Sequence, residues 1–583
     1  MLRYEELEAL KNVDMEQTTK KIFQFLVESN CQRHNFYYYL VAAYWRIMIR
    51  DTAQLSNLLK DLIPNMRKLT SYDLRGRSFQ EIVERLAMSF TKDELKAVIL
   101  FSDIGFHDYR LTGAITARGI SRLALQLLDV KENDVVFNQC SGMNNFLIDA
   151  YFNSKASVFY GVEIDTEAMC IAKARCSVLN DVQSLLCGNT KIKTIQGNVL
   201  SQEFTSLNAN KVFSDGPFML RHWERDVWSN RVLRNQYADA KRTITSDWIF
   251  ASAAHLNQKK PGRTVVLMSN SGLWNEADRE IRRRFVEQGL IEAVIALPEK
   301  LLLHTNIGCT LLVLSENNKT VRLVDATGIY TQSRRQNFLE EKDIQKIIES
   351  CNGDSKTEFC KTVSSKELEE QEFILSPSRY IINPVHERLQ ENYEEFGTLV
   401  NSINRGAVLS SQKLDELISA EPTEYQYLML KDIINGELSK SLPYLVNVDK
   451  RYEKYFVKPG NLIISKISPF KIAMADVSDD SKVLANGNLY FIDIDKTKAN
   501  PYFVMLYLQS EEGISQLNSW ATGAAMKSIS IRDLQKIRIP KIPLDEQNRI
   551  EEDYKDLKEQ LTVVSRQADI IKNKMGHLVE EVL

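Results

Sequence analysis

Two residues lie where the ligand-binding chemistry of an α/β protein is usually found, in the loops that follow two strand-like segments. The segment DVVF is followed by a loop that contains Gly142, and the segment SVFYGV ends at Glu163. A glycine lets the backbone approach a ligand closely, and an acidic residue ending the next strand can accept hydrogen bonds from both hydroxyls of a ribose. The pair suits a nucleoside, but single residues of these types also occur at such positions in any α/β fold.

Short β-rich apolar segments that alternate with helical segments must position these residues. Between about residues 110 and 330 the strand-like segments are DVVFNQ, SVFYGVEI, KTIQGNV, KVFSDG, RTVVLMSN, EAVIALP and CTLLVLS. The alternation is typical of a doubly wound, Rossmann-like α/β sheet. In such a sheet ligands bind at the carboxyl ends of the strands, where both polar residues are expected.

The flanking regions have different patterns. Before about residue 100, apolar residues recur at helical spacing with almost no strand signal, which predicts a helical N-terminal domain. From about 395 to 543, strands mix with short helices and no βα repeat occurs, which indicates an α+β unit. We therefore predict a helical domain at 1–105, the doubly wound domain at 106–390, the α+β domain at 391–543 and a long helix at 544–583.

The last segment has the strongest periodicity in the chain. Apolar or small residues recur at steps of four and three, at Ile550, Tyr554, Leu557, Leu561, Val564, Ala568, Ile571, Met575, Leu578 and Val582. This heptad seam is narrower than the apolar face of a helix that packs on its own globular domain. We expect a coiled coil with a helix of a second copy or of another protein.

Composition argues against several classes of protein. No apolar run approaches the roughly 20 residues that span a bilayer, and the N-terminus lacks the apolar core of a signal peptide, so we expect a cytoplasmic protein without membrane contact. The eight cysteines form no Cys-x-x-Cys pair and have no histidine at zinc-ligand spacing, so we expect no metal. A net charge of −3 gives no overall attraction to phosphate, so nucleic-acid contacts must come from local basic patches.

A longer series of motifs resembles a known family. Thr112-Gly-Ala-Ile-Thr116, the Gly142 loop, Gly161-Val-Glu163, Gly197-Asn198 and Asp215-Gly-Pro-Phe218 are similar in order and spacing to the motifs of adenine-N6 DNA methyltransferases. The later segments PGRTVVL, AVIALP, NIGCTLLVL and LSPSRY resemble the modification subunit of type I restriction-modification systems. The resemblance covers roughly residues 70 to 385.

This resemblance implies methyl transfer from S-adenosylmethionine to adenine N6 within a specific DNA sequence. The residues implied in cofactor binding are Ala114, Ile115, Thr116, Asn138, Gly142, Asn144, Glu163 and Asn198. The implied catalytic tetrapeptide is Asp215, Gly216, Pro217 and Phe218. In the family, a side-chain oxygen and a backbone carbonyl of the tetrapeptide accept hydrogen bonds from the adenine amino group, and its aromatic ring stacks on the flipped base.

The sequence departs from the family's pattern at several of these positions. The family has proline at the positions of Gly216 and Ala117, aspartate at those of Asn138 and Asn198, and glycine at that of Asn144. Without the proline, the turn that aims the backbone carbonyl is less rigid. The alternative to an active enzyme is therefore a catalytically inactive homologue that acts as a DNA-binding or scaffold subunit.

Residues from about 395 to the end resemble one half of a type I specificity subunit. The segments that carry this resemblance include YLMLKDI, KPGNLIISK, NPYF and IPKIP, the last of which leads into the long helix. The resemblance implies a target-recognition domain that reads one half-site of double-stranded DNA. A two-part target would then require two copies paired through the heptad seam.

Basic side chains supply the predicted DNA contacts, which are Arg221, Arg225, Lys466, Lys471 and Lys527. The two arginines follow the tetrapeptide, where they could hold the DNA backbone beside a flipped base, and the lysines lie in predicted loops of the recognition domain. Solvated surface charges, or ion pairs with nearby acidic residues, are the alternatives. The first hundred residues show no nuclease core, so DNA cleavage would require a separate restriction subunit.

Overall fold

Six helices occupy the described part of the first hundred residues. They are α1 (Leu2–Lys11), α2 (Met15–Glu28), α3 (Phe36–Met48), α4 (Thr52–Leu62), α5 (Phe79–Ser89) and α6 (Lys92–Phe101). Four of them begin at a side chain that accepts a hydrogen bond from a backbone N–H of the first turn, at Asp14, Asp51, Ser78 and Thr91. The helical pattern predicted for this region is confirmed.

The computed structural model divides into two units, Met1–Ile381 and Ile382–Leu583. It describes residues 2–63, 78–102, 113, 115–218, 220, 223–237, 245–303, 305–332, 336–352, 359–381, 392–434, 436–439, 441–446, 448–478, 480–521 and 527–577. The six helices belong to the first unit together with the large sheet. The finer division into four domains remains a prediction.

A nine-stranded sheet organises the first unit, in the order β11-β8-β6-β7-β5-β4-β1-β2-β3. The strands are β1 (Val135–Gln139), β2 (Val158–Glu163), β3 (Ile192–Gln196), β4 (Lys211–Asp215), β5 (Arg263–Ser269), β6 (Ile291–Ala296), β7 (Cys309–Leu314), β8 (Thr320–Asp325) and β11 (Cys360–Ser364). The two short strands β9 (Thr331–Gln332) and β10 (Asn337–Phe338) form a separate hairpin. All seven predicted strands are present, as β1 to β7.

The order of the strands places a topological switch point between β1 and β4. Strand β1 pairs in parallel with β2 on one side and with β4 on the other. The chain therefore runs from β1 through β2 to β3 on one side and then crosses back to β4 on the other side of β1. Strand β7 lies antiparallel between β5 and β6. The doubly wound α/β class is confirmed, and the switch point is where such sheets bind ligands.

Helices cover both faces of the sheet. They are α7 (Arg118–Leu128), α8 (Asn145–Asn153), α9 (Thr166–Ser177), α10 (Val182–Leu186), α11 (Glu224–Ser229), α12 (Arg231–Tyr237), α13 (Ser246–Asn257), α14 (Arg279–Glu287), α15 (Glu341–Asn352) and α16 (Ser365–Glu370). Alternate residues of a strand enter opposite cores, as Val136 and Phe137 do on β1. The core that contains Val136 also contains residues of the N-terminal helices. These helices therefore stabilise the sheet that bears the site.

Arg175 of α9 links the N-terminal helices to the loop after β1. Its side chain is 1% exposed, and its guanidinium donates to the carbonyl oxygens of Ile99, Leu100 and Met143 and to Oδ1 of Asn145, over 2.7 to 3.1 Å. A buried charge is tolerated where its donors are satisfied in this way. The arginine thus fixes the loop that contains Gly142 relative to the end of α6.

Arg175→Met should destabilise the first unit, because methionine has similar length but leaves four buried acceptors without their donor. We expect a loss of about 3 kcal/mol in the free energy of unfolding, measured by chemical denaturation of the full chain with tryptophan fluorescence. Lys173→Met, on the exposed side of the same helix, is the control and should change stability little. Equal stability of the two variants would contradict the assigned role of Arg175.

The described part of the second unit contains two four-stranded sheets, several short helices and one helix of 34 residues. One sheet has the order β13-β22-β19-β20 and the other β14-β18-β15-β21. The strands are β12 (Tyr393–Glu395), β13 (Val400–Arg405), β14 (Ile418–Ser419), β15 (Tyr425–Leu428), β16 (Ile433–Ile434), β17 (Glu437–Leu438), β18 (Tyr444–Leu445), β19 (Leu462–Ser465), β20 (Ile472–Met474), β21 (Lys482–Ala485), β22 (Leu489–Ile494) and β23 (Arg538–Pro540). The helices are α17 (Ser411–Leu417), α18 (Pro501–Gln509), α19 (Glu511–Trp520), α20 (Ile531–Gln535) and α21 (Leu544–His577).

The terminal helix α21 uses its seam in two different ways. Ile550 and Tyr554 are partly buried against the core of the second unit. From Leu557 onward the seam is exposed, and Leu561 and Met575 are each 65% exposed. The prediction that the whole seam awaits another helix was therefore wrong for its first two positions, and Leu578 and Val582 lie outside the described residues.

Candidate active site

A cleft of about 710 Å³ lies at the carboxyl ends of the strands around the switch point. Each of four strands contributes the loop that follows it, with Gly142 after β1, Glu163 at the end of β2, Asn198 after β3 and Asp215 at the end of β4. The volume is within the range of sites that bind a cofactor-sized molecule. Tertiary structure therefore brings the residues of four separate motifs to one cleft.

Glu163 is held in a fixed orientation at the edge of this cleft. Its Oε2 accepts a hydrogen bond from the Gly142 backbone N–H at 2.7 Å, and its Oε1 accepts one from the Asp165 N–H at 2.9 Å. Gly142 has a φ of +51°, a conformation that favours glycine. Burial raises the pKa of Glu163, while the two N–H donors oppose that rise. The carboxylate keeps free lone pairs that can accept hydrogen bonds from hydroxyl groups.

Two predicted cofactor residues do not face the cleft. Asn138 is fully buried within β1, and when its amide is assigned with the nitrogen toward them, it donates to the carbonyl oxygens of Gln139 and Phe213, each at 3.2 Å. The side chain of Asn144 points toward β3, and its Nδ2 donates to Oγ1 of Thr194 at 2.8 Å. Neither residue lines the cleft. The two departures from the family's pattern at these positions therefore lie outside the lining of the cleft.

Asn144 also shows how the loop tolerates the loss of a glycine. Its φ of +65° is left-handed, a conformation that asparagine adopts more readily than most residues. The space for its side chain comes from Gly161, where an added Cβ would lie 2.7 Å from Oδ1 of Asn144. Glycine at 161 thus leaves room for the side chain of asparagine at 144.

Thr116 and Asp215 meet across the cleft. The Thr116 hydroxyl donates to Oδ2 of Asp215 at 2.6 Å, and both residues line the cleft together with Ile115. Burial raises the pKa of Asp215 to about 6, and the hydrogen bond from Thr116 opposes that rise. Motif order indicates no such pairing between the two residues. Ala114 lies outside the described residues.

The remaining tetrapeptide residues, Gly216, Pro217 and Phe218, also line the cleft. Next to them are residues that the sequence did not indicate, namely Asp226, Phe250, Leu302, Leu303 and Thr305. They come from two helices and from the segment after β6, so no local motif could have identified them. Asn198 lines the cleft, and its Oδ1 accepts a hydrogen bond from the Leu200 N–H at 2.9 Å.

The predicted DNA contacts lie in varied environments. Arg221 lies outside the described residues, and Arg225 is exposed on α11. Lys527 is exposed, whereas Lys466 is partly buried, which lowers its pKa. The ammonium of Lys471 donates to the carbonyl oxygens of Leu430 and Ile433, at 3.1 and 2.8 Å. A phosphate contact by Lys471 would have to use its third proton.

Two kinds of feature are absent from the described residues. None of the helices there is both long and apolar enough to cross a membrane. In the same residues, no group of three or more histidine, cysteine, aspartate or glutamate side chains has an arrangement that could hold a metal ion.

A doubly wound sheet with a buried acidic residue at the end of β2 and a cleft at its switch point is an arrangement that α/β proteins use to bind nucleosides. Residues 113–388 match the family model described as N-6 DNA Methylase. The match covers most of the part of the chain in which the motifs of the resemblance lie.

Type I methylase subunits are among the relatives of the chain. It is 25% identical over 310 residues to the type I restriction enzyme MjaVIII methylase subunit of Methanocaldococcus jannaschii, covering 48% of this chain and 52% of the relative. It is 26% identical over 178 residues to the MpnII methylase subunit of Mycoplasma pneumoniae, covering 29% of this chain and 33% of the relative. The chain thus spans about half the length, or less, of these curated relatives.

Solved structures with similarity to the chain include a type I methyltransferase subunit from Streptococcus thermophilus. It has a TM-score of 0.47 and 17% identity, and the match covers 62% of this chain and 79% of that one. The type IIG restriction endonuclease BpuSI has a TM-score of 0.49 and 13% identity, with 90% of this chain and 72% of that one covered.

Proposed function

We propose that this chain transfers a methyl group from S-adenosylmethionine to N6 of adenine in DNA. The observation that carries the proposal is that Glu163 and Asp215 line the same cleft, at the ends of strands two places apart in the sheet. Glu163 suits the hydroxyls of a ribose, and Asp215 can accept a hydrogen bond from an amino group. When bound, the cofactor supplies an electrophilic methyl group.

The residues of the cleft fit such a cofactor. The Glu163 carboxylate would accept hydrogen bonds from the ribose hydroxyls while its orientation is fixed by the Gly142 and Asp165 N–H groups. The Gly142 loop would let the backbone approach the cofactor closely. Ile115, Thr116 and Asn198 would complete its surroundings, because they line the same cleft.

The tetrapeptide would activate the adenine amino group. Ionised Asp215 accepts one N6–H hydrogen bond and the carbonyl of Gly216 accepts the other, which raises the nucleophilicity of the nitrogen. Phe218 stacks on the flipped base. The Thr116 hydroxyl orients the Asp215 carboxylate and, by stabilising its charged form, keeps it ionised at neutral pH.

Calorimetry with S-adenosylmethionine, followed by mapping of N6-methyladenine in DNA from cells that express the chain, tests this proposal. Saturable cofactor binding and methylation at one sequence would support it. DNA binding that is indifferent to the cofactor, without any modified site, would instead support an inactive DNA-binding or scaffold subunit.

The proposal extends to the second unit as a target-recognition domain for double-stranded DNA in the cytoplasm. Arg225, Lys466 and Lys527 are the phosphate contacts that we propose, with Arg221 and Lys471 as further members of the predicted set. We expect DNA binding to depend strongly on salt, and we expect this salt dependence to become weaker when these residues are replaced. Any DNA cleavage would belong to a separate restriction subunit.

The exposed part of the α21 seam is the surface that we propose for pairing with a second copy. Its apolar residues from Leu557 to Met575 are mostly more than half exposed, a pattern that is costly without a partner. Pairing would bring two recognition domains together for a two-part target.

Leu561→Glu should weaken this self-association, because it places a charge in the centre of the seam. We expect a change from dimer to monomer in sedimentation velocity at micromolar concentration, with unchanged cofactor affinity. Gln560→Glu adds the same charge at the neighbouring exposed position and should leave the dimer intact. A wild-type chain that sediments as a monomer at every concentration would contradict the pairing.

A further inference from the structure

We propose that helix α13, through Phe250 and Ser246, positions the Asp215–Phe218 loop and supplies the rigidity that proline at position 216 would otherwise provide. This inference rests on the proposed methyltransferase function. It assigns a role to two residues that belong to no motif of the sequence.

The ring of Phe250 occupies the space beside Gly216. An added Cβ at Gly216 would lie 2.6 Å from Cγ, 2.7 Å from Cδ2 and 2.9 Å from Cδ1 of Phe250. Cβ atoms do not approach ring carbons so closely, so any side chain at 216 would require the ring to move. Phe250 is 5% exposed and belongs to the core on that face of the sheet, so its ring is held by its neighbours.

Ser246 fastens the same loop one helical turn earlier. Its hydroxyl accepts a hydrogen bond from the Leu220 backbone N–H at 2.9 Å and donates to the Pro217 carbonyl oxygen at 3.3 Å. Residues 246 and 250 lie on one face of α13 because they are four positions apart. The loop is therefore held by a ring contact at Gly216 and by hydrogen bonds on either side of Phe218.

The helix face that holds the loop is itself fixed to the sheet. Nε2 of Gln139, at the end of β1, donates to the Phe250 carbonyl oxygen at 2.8 Å and to Oγ of Ser214 at 2.9 Å. Gln139 and Ser214 are fully buried. The ends of β1 and β4 and the first turns of α13 thus form one hydrogen-bonded group around the tetrapeptide.

This arrangement has a direct consequence for the reaction. A carbonyl that accepts from the adenine amino group must keep its direction, and misplacement by about 1 Å costs on the order of 100-fold in rate. Phe250 restricts Gly216 from outside the loop, whereas a proline would restrict it through its own ring. We therefore expect the effects of replacing Gly216 and Phe250 to depend on each other.

A double-mutant cycle tests the pairing. Gly216→Pro alone should lower kcat about 100-fold because its ring meets Phe250, and Phe250→Leu should also lower kcat because it loosens the contact. The double variant should regain at least tenfold over Gly216→Pro. The proposal is wrong if kcat of the double variant falls by the product of the two single effects. It is also wrong if Gly216→Pro keeps the wild-type kcat. Phe285→Leu, in the same core but outside the cleft, is the control and should show no such rescue.

A second measurement does not depend on activity. Ser246→Ala should speed hydrogen exchange of the peptide that contains Leu220 while the melting temperature stays near that of the wild type. Unchanged exchange would contradict the role of Ser246. If the wild-type chain transfers no methyl group, the proposed function fails, whereas the exchange result still decides whether α13 holds the loop.

Discussion

Asp215→Ala should lower kcat for adenine methylation by roughly 1,000-fold while cofactor binding remains. The alanine removes the acceptor for one N6–H hydrogen bond, an interaction needed at the reacting nitrogen. Methyl incorporation into DNA from radiolabelled cofactor gives kcat, and calorimetry gives the cofactor Kd. Glu132→Ala, which removes an exposed carboxylate far along the chain from the tetrapeptide, is the control.

Asp215→Asn separates the hydrogen bond from the charge. Asparagine keeps a side-chain oxygen as acceptor, and the family uses asparagine or aspartate at this position, so substantial activity should remain. The pKa of Asp215 is raised to about 6 by burial, so wild-type kcat/KM should fall about tenfold per pH unit below pH 6. The asparagine variant should lack this acid limb. A wild-type profile that is flat from pH 8 to pH 5 would contradict the requirement for ionised Asp215.

The same raised pKa predicts the direction of a stability effect. Burial disfavours ionised Asp215, so its protonated form adds stability that is fully present below the unfolded value of 3.8 and is lost as the pH rises through about 6. Asp215→Asn should therefore raise the melting temperature at pH 8 and not at pH 4. Thr116→Val should move the acid limb of activity to higher pH, because it removes the hydrogen bond that stabilises the charged carboxylate.

The second large effect is expected at Glu163. Glu163→Gln should weaken the binding of S-adenosylmethionine about 100-fold, since charged hydrogen bonds to the ribose are lost and one of two backbone N–H groups loses its acceptor. The two N–H groups are those of Gly142 and Asp165. Calorimetric titration of the cofactor measures the Kd directly.

A neighbouring carboxylate makes the matched control for this variant. Glu167→Gln changes the same functional group in the first turn of α9, outside the cleft, and should leave the Kd within about twofold of the wild type. An unchanged Kd for Glu163→Gln would rule out a ribose contact by Glu163. In that case methylation, if present, would depend on other residues of the cleft.

Local patterns predicted much of the fold because they report local physics. The alternation of apolar segments identified β1 to β7, and the position of Glu163 and Asp215 at strand ends followed from it. The antiparallel insertion of β7 between β5 and β6 was not predicted, because strand order depends on contacts between segments distant in sequence. The seam of α21 was recognisable, but which of its residues pack on the second unit was not.

By itself, the sequence determined the doubly wound class, the motifs that meet at the switch point and the resemblance that names the chemistry. Only the tertiary structure decided that Asn138 and Asn144 turn away from the cleft, since a side chain's direction depends on its neighbours in space. It also paired Thr116 with Asp215, 99 residues apart, and placed Phe250 against Gly216. Read from the motif alone, Gly216 makes the tetrapeptide less rigid. In the folded chain the ring of Phe250 lies against Gly216, and such packing restricts a backbone that the glycine itself leaves free.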